Sequence, residues 1–294
     1  MPKEISLNCK GKINLSIDVL DERPDGYHEV EMIMLAVDLF DTVKLCLRPD
    51  DRIILHSDAD AMPEGMDNLA CRAAKLFFDC LQMKNEGKPL DGGYTNGGVD
   101  IFIEKRVPMG AGMAGGSADA AGVLCGLNRL YEKPFSRNIL MDMGKTLGAD
   151  IPFCIFGGCA LAEGIGEKLT ALPMPPPMAC VVAKPQVAVS TKWVYDQLDL
   201  SKRPENLSVK KVVDGIRKGD TKQIIQYAGN ILETVTIPAF PVVGEYKRMM
   251  WELGADLSLM SGSGSAVFGM FSDRDKAANA YHHFQQYTDE VFLV

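Results

Sequence analysis

Apolar residues at Ile13, Leu15, Ile17 and Val19 alternate with Asn14, Ser16 and Asp18, the period-two pattern of a half-buried strand. Further strands are expected over 30–35, 41–47, 52–56 and 99–103. Leu69, Ala73, Leu76, Phe77, Cys80 and Leu81 recur at helical spacing, which predicts a helix running to Met83 with Asp67 or Asn68 as its cap. Residues 87–98 read as a polar, Gly-rich surface loop, and Arg23-Pro24-Asp25-Gly26-Tyr27-His28 as a turn. Two helices follow, over 117–130 and 136–147, the first capped by Ser117 and the second closed by Gly148 as a C-terminal glycine. Residues 153–155 and 159–162 are apolar around Gly157-Gly158. Beyond the stiff proline run at 173–177, near an expected domain boundary, strands over 180–183, 255–260, 265–271 and 291–294 mix with helices. Those helices cover 191–198, 209–217, a stretch through Tyr227, 241–253 and 273–286. The mixture is α+β, with no internal repeat.

The segment from Pro108 to Gly122 reads P-M-G-A-G-M-A-G-G-S-A-D-A-A-G and holds five glycines. It follows a strand and runs into a helix, the order that builds an anion site. Glycines let the backbone approach a phosphate, and the first-turn N–H groups of the helix point at it. Gly110, Gly112 and Gly115 also fit the dinucleotide pattern G-x-G-x-x-G, but that fingerprint needs a following strand ending in an acid, and a helix follows here. Gly144-Lys145-Thr146 ends like a P-loop, yet Ile139 stands where its first glycine belongs. The lysine and catalytic-loop motifs of protein kinases do not occur.

The loop resembles that of the GHMP kinases, P-x-x-x-G-[LM]-[GA]-[GS]-S-[SA]-A, matched by Pro108, Met109, Gly110, Ala111, Gly112, Met113, Ala114, Gly115, Gly116, Ser117 and Ala118. Within that family the loop is similar to a glycine-rich branch form, from which Ala111, Met113, Ala114 and Ala118 depart by small or apolar exchanges. Three more motifs match in order. Gly11-Lys12-Ile13-Asn14 fits the family's lysine strand, with Lys10 as a rival by charge alone. Arg23 to His28 fits the R-x-D-G-Y-H signature of the branch acting on a cytidine diphosphate substrate. Gly148-Ala149-Asp150-Ile151-Pro152 fits the segment bearing the catalytic base.

The resemblance implies a two-domain α+β GHMP kinase fold, the N-terminal domain like ribosomal protein S5 domain 2 and the C-terminal one ferredoxin-like. It implies a nucleotide-binding and catalytic domain over 1–165 and a substrate-side domain over 166–294. The implied reaction is ATP-dependent phosphorylation of the 2-hydroxyl of 4-diphosphocytidyl-2-C-methyl-D-erythritol, with Mg²⁺ accompanying ATP, in the non-mevalonate isoprenoid route. In that scheme the amides of 110–117 cradle the ATP phosphates, with Asn68 and Lys105 near the nucleotide. Asp150 takes the substrate proton, and Lys12 stabilises the developing alkoxide. Asn14, Tyr27, His28, Thr191 and Tyr195 face the substrate, with Tyr27 and Tyr195 sandwiching the base while His28 reads its edge. The loop Ser261-Gly262-Ser263-Gly264-Ser265 faces the active site. Another small-molecule kinase of the family, of mevalonate or homoserine type, and a non-catalytic nucleotide sensor are the alternatives. Arg23 to His28 weighs against the first, and Lys12 with Asp150 against the second.

Composition narrows the rest. The 294 residues, 47% of them apolar, suffice for one large or two medium domains. A net charge of −8 without a basic run argues against nucleic acid, and leaves an anionic substrate to be held by local donors. No apolar run approaches the roughly 18 residues of a membrane span, and the first residues lack a leader pattern, so a cytoplasmic location is expected. The eight cysteines form no C-x-x-C and the four histidines no metal spacing, so buried thiols are expected, with no dedicated metal site and no obligate protein partner.

Overall fold

A computed structural model gives the fold, with residues 3–24, 26–84 and 97–294 described. The expected loop at 87–98 falls almost wholly outside them, as do Asp25 and the first two residues. Packing groups the chain into two units: Met1–Gly11, Phe40–Val107 and Ala114–Phe156 form the first, and Lys12–Leu39, Pro108–Met113 and Gly157–Val294 the second. The units interleave along the sequence. Strands β1 (Glu4–Glu22) and β2 (His28–Arg48) pair with each other and supply residues to both. Each is longer than its alternating pattern predicted. Residues 36–40 hold no Gly, Pro or Asn to break β2, so the expected strands at 30–35 and 41–47 are one.

In the first unit, β3 (Ile53–Ser57), α1 (Leu69–Lys84) and β4 (Gly98–Glu104) form a strand–helix–strand crossover, because β3 runs parallel to β4. β4 pairs antiparallel with the second half of β2, from Thr42 opposite Glu104 to Arg48 opposite Gly98. Asn68 caps α1, its Oδ1 accepting from the Ala70 N–H at 2.8 Å. The apolar face of α1 buries Ala70, Ala73, Ala74, Phe77 and Leu81, with Phe77 edge-on to Phe135 at 5.5 Å. Fully burying a side chain such as Phe77 contributes about 2–3 kcal/mol.

Helix α2 (Gly115–Leu130) begins two residues earlier than expected. Its cap is Ala114, in the left-handed conformation at φ 60°, and no side chain caps it, so Ser117 lies inside the first turn and does not cap. The glycine loop winds into the helix through its backbone instead. Helices α3 (Arg137–Leu147) and α4 (Ile151–Phe156) complete the unit; Ser136 caps α3 as a hydroxyl acceptor. Gly148 ends α3 at φ −178°, extended backbone open to any residue, so the left-handed glycine stop expected there is not used. The chain turns directly into α4, which takes up the apolar 153–155 segment.

In the second unit, β5 (Cys159–Gly164) pairs with the first half of β2, from Val30 opposite Gly164 to Leu35 opposite Cys159, and with β6 (Lys168–Leu172). The proline run links β6 to β7 (Ala179–Ala183). Helices α5 (Thr191–Asp196), α6 (Val209–Lys218), α7 (Thr221–Tyr227), α8 (Glu233–Ala239) and α9 (Pro241–Glu252) come next, then β8 (Leu257–Met260), β9 (Val267–Phe271), α10 (Arg274–Phe284) and β10 (Val291–Leu293). A four-stranded antiparallel sheet has the order β10-β7-β9-β8, with α9 and α10 packed on it through Met250, Tyr246 and Phe284. Strand β6 and helix α8 were not legible: β6 is short and largely exposed, and α8 contains Pro238. All eight cysteines are free thiols.

The placement of α2 depends on small residues. A Cβ on Gly122 would lie 2.2 Å from the Cys9 sulfur, and one on Gly126 would lie 2.6 Å from Leu45 Cδ1. Gly122→Val should therefore lower the stability of the protein by about 1–3 kcal/mol through overpacking. Denaturant titration measures this, and an unchanged midpoint would contradict the packing of α2.

Candidate functional site

Lys12 lies on β1 and is buried, its side chain within the second unit. Its ammonium donates to Asn14 Oδ1 at 2.7 Å and to the Gly112 carbonyl at 2.9 Å, and its backbone N–H donates to the Met113 carbonyl at 3.0 Å. The strand period puts Lys12 and Asn14 on one face, two residues apart. The Gly112 carbonyl also accepts from Ser261 Oγ at 3.0 Å. Gly112 has φ +72°, and a Cβ there would sit 2.0 Å from the Ser261 carbonyl oxygen. Only glycine permits that approach. The 261–265 loop is held from below: Asn230 Nδ2 donates to the Met260 and Gly262 carbonyls at 2.8 and 2.7 Å, and Thr236 Oγ1 donates to the Ser263 carbonyl at 3.1 Å. Ser263 Oγ meets Thr191 Oγ1 at 2.8 Å. Glu233, half-buried and paired with Lys247, accepts from the Met260 N–H at 2.8 Å, and desolvation of its carboxyl pushes it above the usual range.

The residues expected to face the substrate also fall in this unit. Tyr27 is 58% exposed, and the His28 and Tyr195 rings lie 5.1 Å apart at 44°. The turn that carries Tyr27 is closed by Arg23 N–H to the Tyr27 carbonyl at 2.7 Å and by an Arg23–Glu29 ion pair at 2.8 Å. Ser190 caps α5 and so orients Thr191 and Tyr195. Lys10, the rival to Lys12, is exposed.

In the first unit, the backbone at 105–107, just before the glycine loop, is fastened by carboxylates. Asp41 Oδ1 accepts from the Arg106 and Val107 N–H groups at 2.6 and 2.8 Å, and Asp58 accepts from the Lys105 N–H at 2.9 Å. The Lys105 ammonium is buried between Asp41 and Asp119, 2.8 Å from Asp119 Oδ2. Burial opposes its charge, but the two carboxylates outweigh it and raise its pKa. Asp119 stands in the second turn of α2, 1% exposed; burial, despite Lys105 and reinforced by Asp41, pushes its carboxyl up to about 7. Lys105 Nζ would lie 3.3 Å from a Cβ on Gly115, so this cluster packs against the start of α2. Within the loop, Pro108, Ala111, Met113, Gly115 and Ala118 are buried, Met109, Gly110 and Gly116 are exposed, and Ala114 and Ser117 are half-buried. Asp150 is half-buried, and its carbonyl accepts from the Cys154 N–H at 3.1 Å, opening α4.

Two family patterns match this chain: GHMP kinases N terminal domain over residues 68–158, and GHMP kinases C terminal over residues 212–289. The chain belongs to the GHMP kinases. A 4-diphosphocytidyl-2-C-methyl-D-erythritol kinase of Alkaliphilus metalliredigens is 42% identical to this GHMP kinase over 292 residues, 99% of this chain and 96% of that protein. One of the same name from Alkaliphilus oremlandii is 41% identical over 99% and 96%. Among solved structures, a 4-(cytidine 5'-diphospho)-2C-methyl-D-erythritol kinase superposes with a TM-score of 0.79 at 33% identity, covering 98% of each chain. A homoserine kinase from Cytophaga hutchinsonii superposes at 0.74 with 19% identity, covering 99% of this chain and 94% of that one, and shares the fold.

Lys12 and the glycine loop of this GHMP kinase were expected from its sequence; Asp41, Asp119, Thr236 and Asn230, which hold the backbone and the lysine near the glycine and 261–265 loops, were not. Asp119 left one signal, a carboxylate within the small apolar run Ala118–Ala121. Asp41 stands in an expected strand, and Asn230 and Thr236 in residues 228–240, where the pattern marked no element. Among the described residues no helix is long and apolar enough to cross a membrane, and no cluster of His, Cys, Asp and Glu could hold a metal ion.

The Asp119 environment has a consequence for stability. Its carboxyl is raised in the folded state from 3.8 to about 7, so its contribution is fully present below pH 4 and is lost as pH rises towards 7. Asp119→Asn should flatten this decline in melting temperature. A variant whose melting curve keeps the wild-type slope over that window would contradict the assignment.

Proposed function

We propose that this chain transfers the γ-phosphoryl group of ATP to the 2-hydroxyl of 4-diphosphocytidyl-2-C-methyl-D-erythritol, in isoprenoid precursor synthesis that bypasses mevalonate. The strongest single support is the 42% identity across 99% of the chain to a relative bearing that kinase's name. Homoserine and mevalonate kinases resemble the chain at 19% and 14% identity and share the fold alone.

Phosphoryl transfer needs positioning and charge stabilisation more than covalent help. The triphosphate is taken by backbone N–H groups of residues 110–117. That assignment fits a loop in which a Cβ on Gly110 would meet nothing within 4 Å and one on Gly116 only Leu69, at 3.9 Å. The first-turn amides of α2 lack intrahelical partners by helix geometry and favour an anion. Mg²⁺ bound with ATP would supply charge neutralisation, and the Ser117 hydroxyl in the first turn of α2 would be its protein ligand. Asp150 accepts the proton of the substrate hydroxyl as its oxygen attacks phosphorus. Lys12, its ammonium fixed by Asn14 and Gly112, stabilises the negative charge that develops on that oxygen. Lys105 serves the nucleotide side by anchoring the start of α2, and Asn68 by capping α1. Tyr27 stacks on the cytosine, His28 reads its edge, and Tyr195, already against His28, forms the facing wall; Thr191 and Asn14 complete the substrate side. The nucleotide-side residues fall within 1–165, whereas Thr191 and Tyr195 fall within 166–294.

A coupled ADP-release assay should give turnover with the cytidine diphosphate substrate and none with mevalonate or homoserine. Asp150→Asn should retain ATP affinity and lose about 10²- to 10⁴-fold in kcat. Turnover within twofold of the wild type, roughly the scatter of such assays, would remove Asp150 from the base role.

A further inference from the structure

The residue that organises the 261–265 loop is not part of any motif read from the sequence. Asn230 is 1% exposed. Its carboxamide is fully engaged: Nδ2 donates to the carbonyls of Met260 and Gly262, on either side of Ser261, and Oδ1 accepts from the Leu232 N–H at 2.9 Å. Its two neighbours in sequence are hydrogen-bonded to the strand that carries Lys12. The Ile17 N–H donates to the Gly229 carbonyl at 2.9 Å, and the Ile231 N–H donates to the Ile17 carbonyl at 3.1 Å. Ser16 Oγ donates to the Gly229 carbonyl at 3.2 Å. Asn230 therefore ties a fixed point on β1 to the backbone on both sides of Ser261.

Ser261 in turn reaches the atom that holds Lys12. Its hydroxyl and the Lys12 ammonium share the Gly112 carbonyl, at 3.0 and 2.9 Å. The Ala266 N–H adds a bond to the Ala111 carbonyl at 3.3 Å, so loop and loop run side by side. We propose that Asn230 is a positioning residue for the Lys12 ammonium, acting through Ser261 and the Gly112 carbonyl. Only a group with two N–H donors can bracket Ser261 by bonding the carbonyls before and after it. Removing those donors leaves two buried carbonyls unsatisfied and frees the loop to shift. Small displacements of a charge that stabilises a transition state lower turnover without weakening ground-state binding.

The catalytic consequence rests on the kinase reading above; the positioning itself does not, and the test separates them. Wild type, Asn230→Ala and Ser261→Ala are treated with limiting acetic anhydride, and acetylation of Lys12 is measured by peptide mass spectrometry relative to exposed Lys10. The expected result is a rise in the Lys12-to-Lys10 ratio of about fivefold in Asn230→Ala and about twofold in Ser261→Ala, as the ammonium leaves its fixed acceptors. With it, kcat should fall by about 10- to 100-fold while the KM for ATP stays within about threefold. A folded Asn230→Ala protein with an unchanged ratio overturns the proposal. Should Asn230→Ala fail to fold, Ser261→Ala decides alone, since it removes one hydroxyl, and an unchanged ratio there overturns the proposal equally. A wild-type protein without kinase activity would sink the functional reading while the acetylation ratios still decide the positioning.

Discussion

One carbonyl oxygen carries much of the candidate site. The oxygen of Gly112 accepts both the Lys12 ammonium and the Ser261 hydroxyl, and the residue that bears it cannot have a side chain. A Cβ there would meet the Ser261 carbonyl at 2.0 Å, well inside contact distance. The glycine is thus needed for two reasons at once, its left-handed φ and the closeness of a second loop. A hydrogen bond to a charged donor is roughly twice as strong as a neutral one, so the carbonyl fixes the direction of the lysine as well as its distance.

A second lysine, Lys105, whose side chain is buried, illustrates a different use of the same group. Lys105 is clasped by Asp41 and Asp119, and Asp41 also accepts two backbone N–H groups from the segment leading into the glycine loop. Two carboxylates and one ammonium in a dry setting are costly, which is why Asp119 is driven up to about 7. The arrangement supplies anchorage. It pins the backbone on one side of the loop and the start of α2 on the other, where Lys105 and Val107 close on Gly115.

Much of this was legible in the order of residues. Alternation gave the strands, i to i+4 spacing gave α1, and the run of glycines gave the loop that leads into α2. What stayed hidden has physical reasons. The extent of β1 and β2 depends on pairing partners far along the chain, which local alternation does not report. The start of α2 depends on Ala114 adopting a left-handed φ, a conformation that alanine does not advertise. Ser117 looked like a cap because hydroxyls cap helices, yet two glycines ahead of it had already entered the helix. Gly148 looked like a left-handed stop, yet the chain needs only extended backbone to reach α4. Lys12 and Asn14 could be paired from strand period alone, but the oxygen at Gly112 that completes the lysine's surroundings lies a hundred residues away. Asn230 carries no signal at all, since it lies in residues 228–240, where no periodic pattern or motif marks it.

The account stands on the Lys12 ammonium being a fixed charge that stabilises phosphoryl transfer. Steady-state ADP release by a Lys12→Met variant tests this most directly, because methionine keeps an unbranched side chain one atom shorter and removes the ammonium with its charge and hydrogen bonds. The account predicts a loss of about 10²- to 10³-fold in kcat with ATP binding retained. Turnover close to that of the wild type would contradict it.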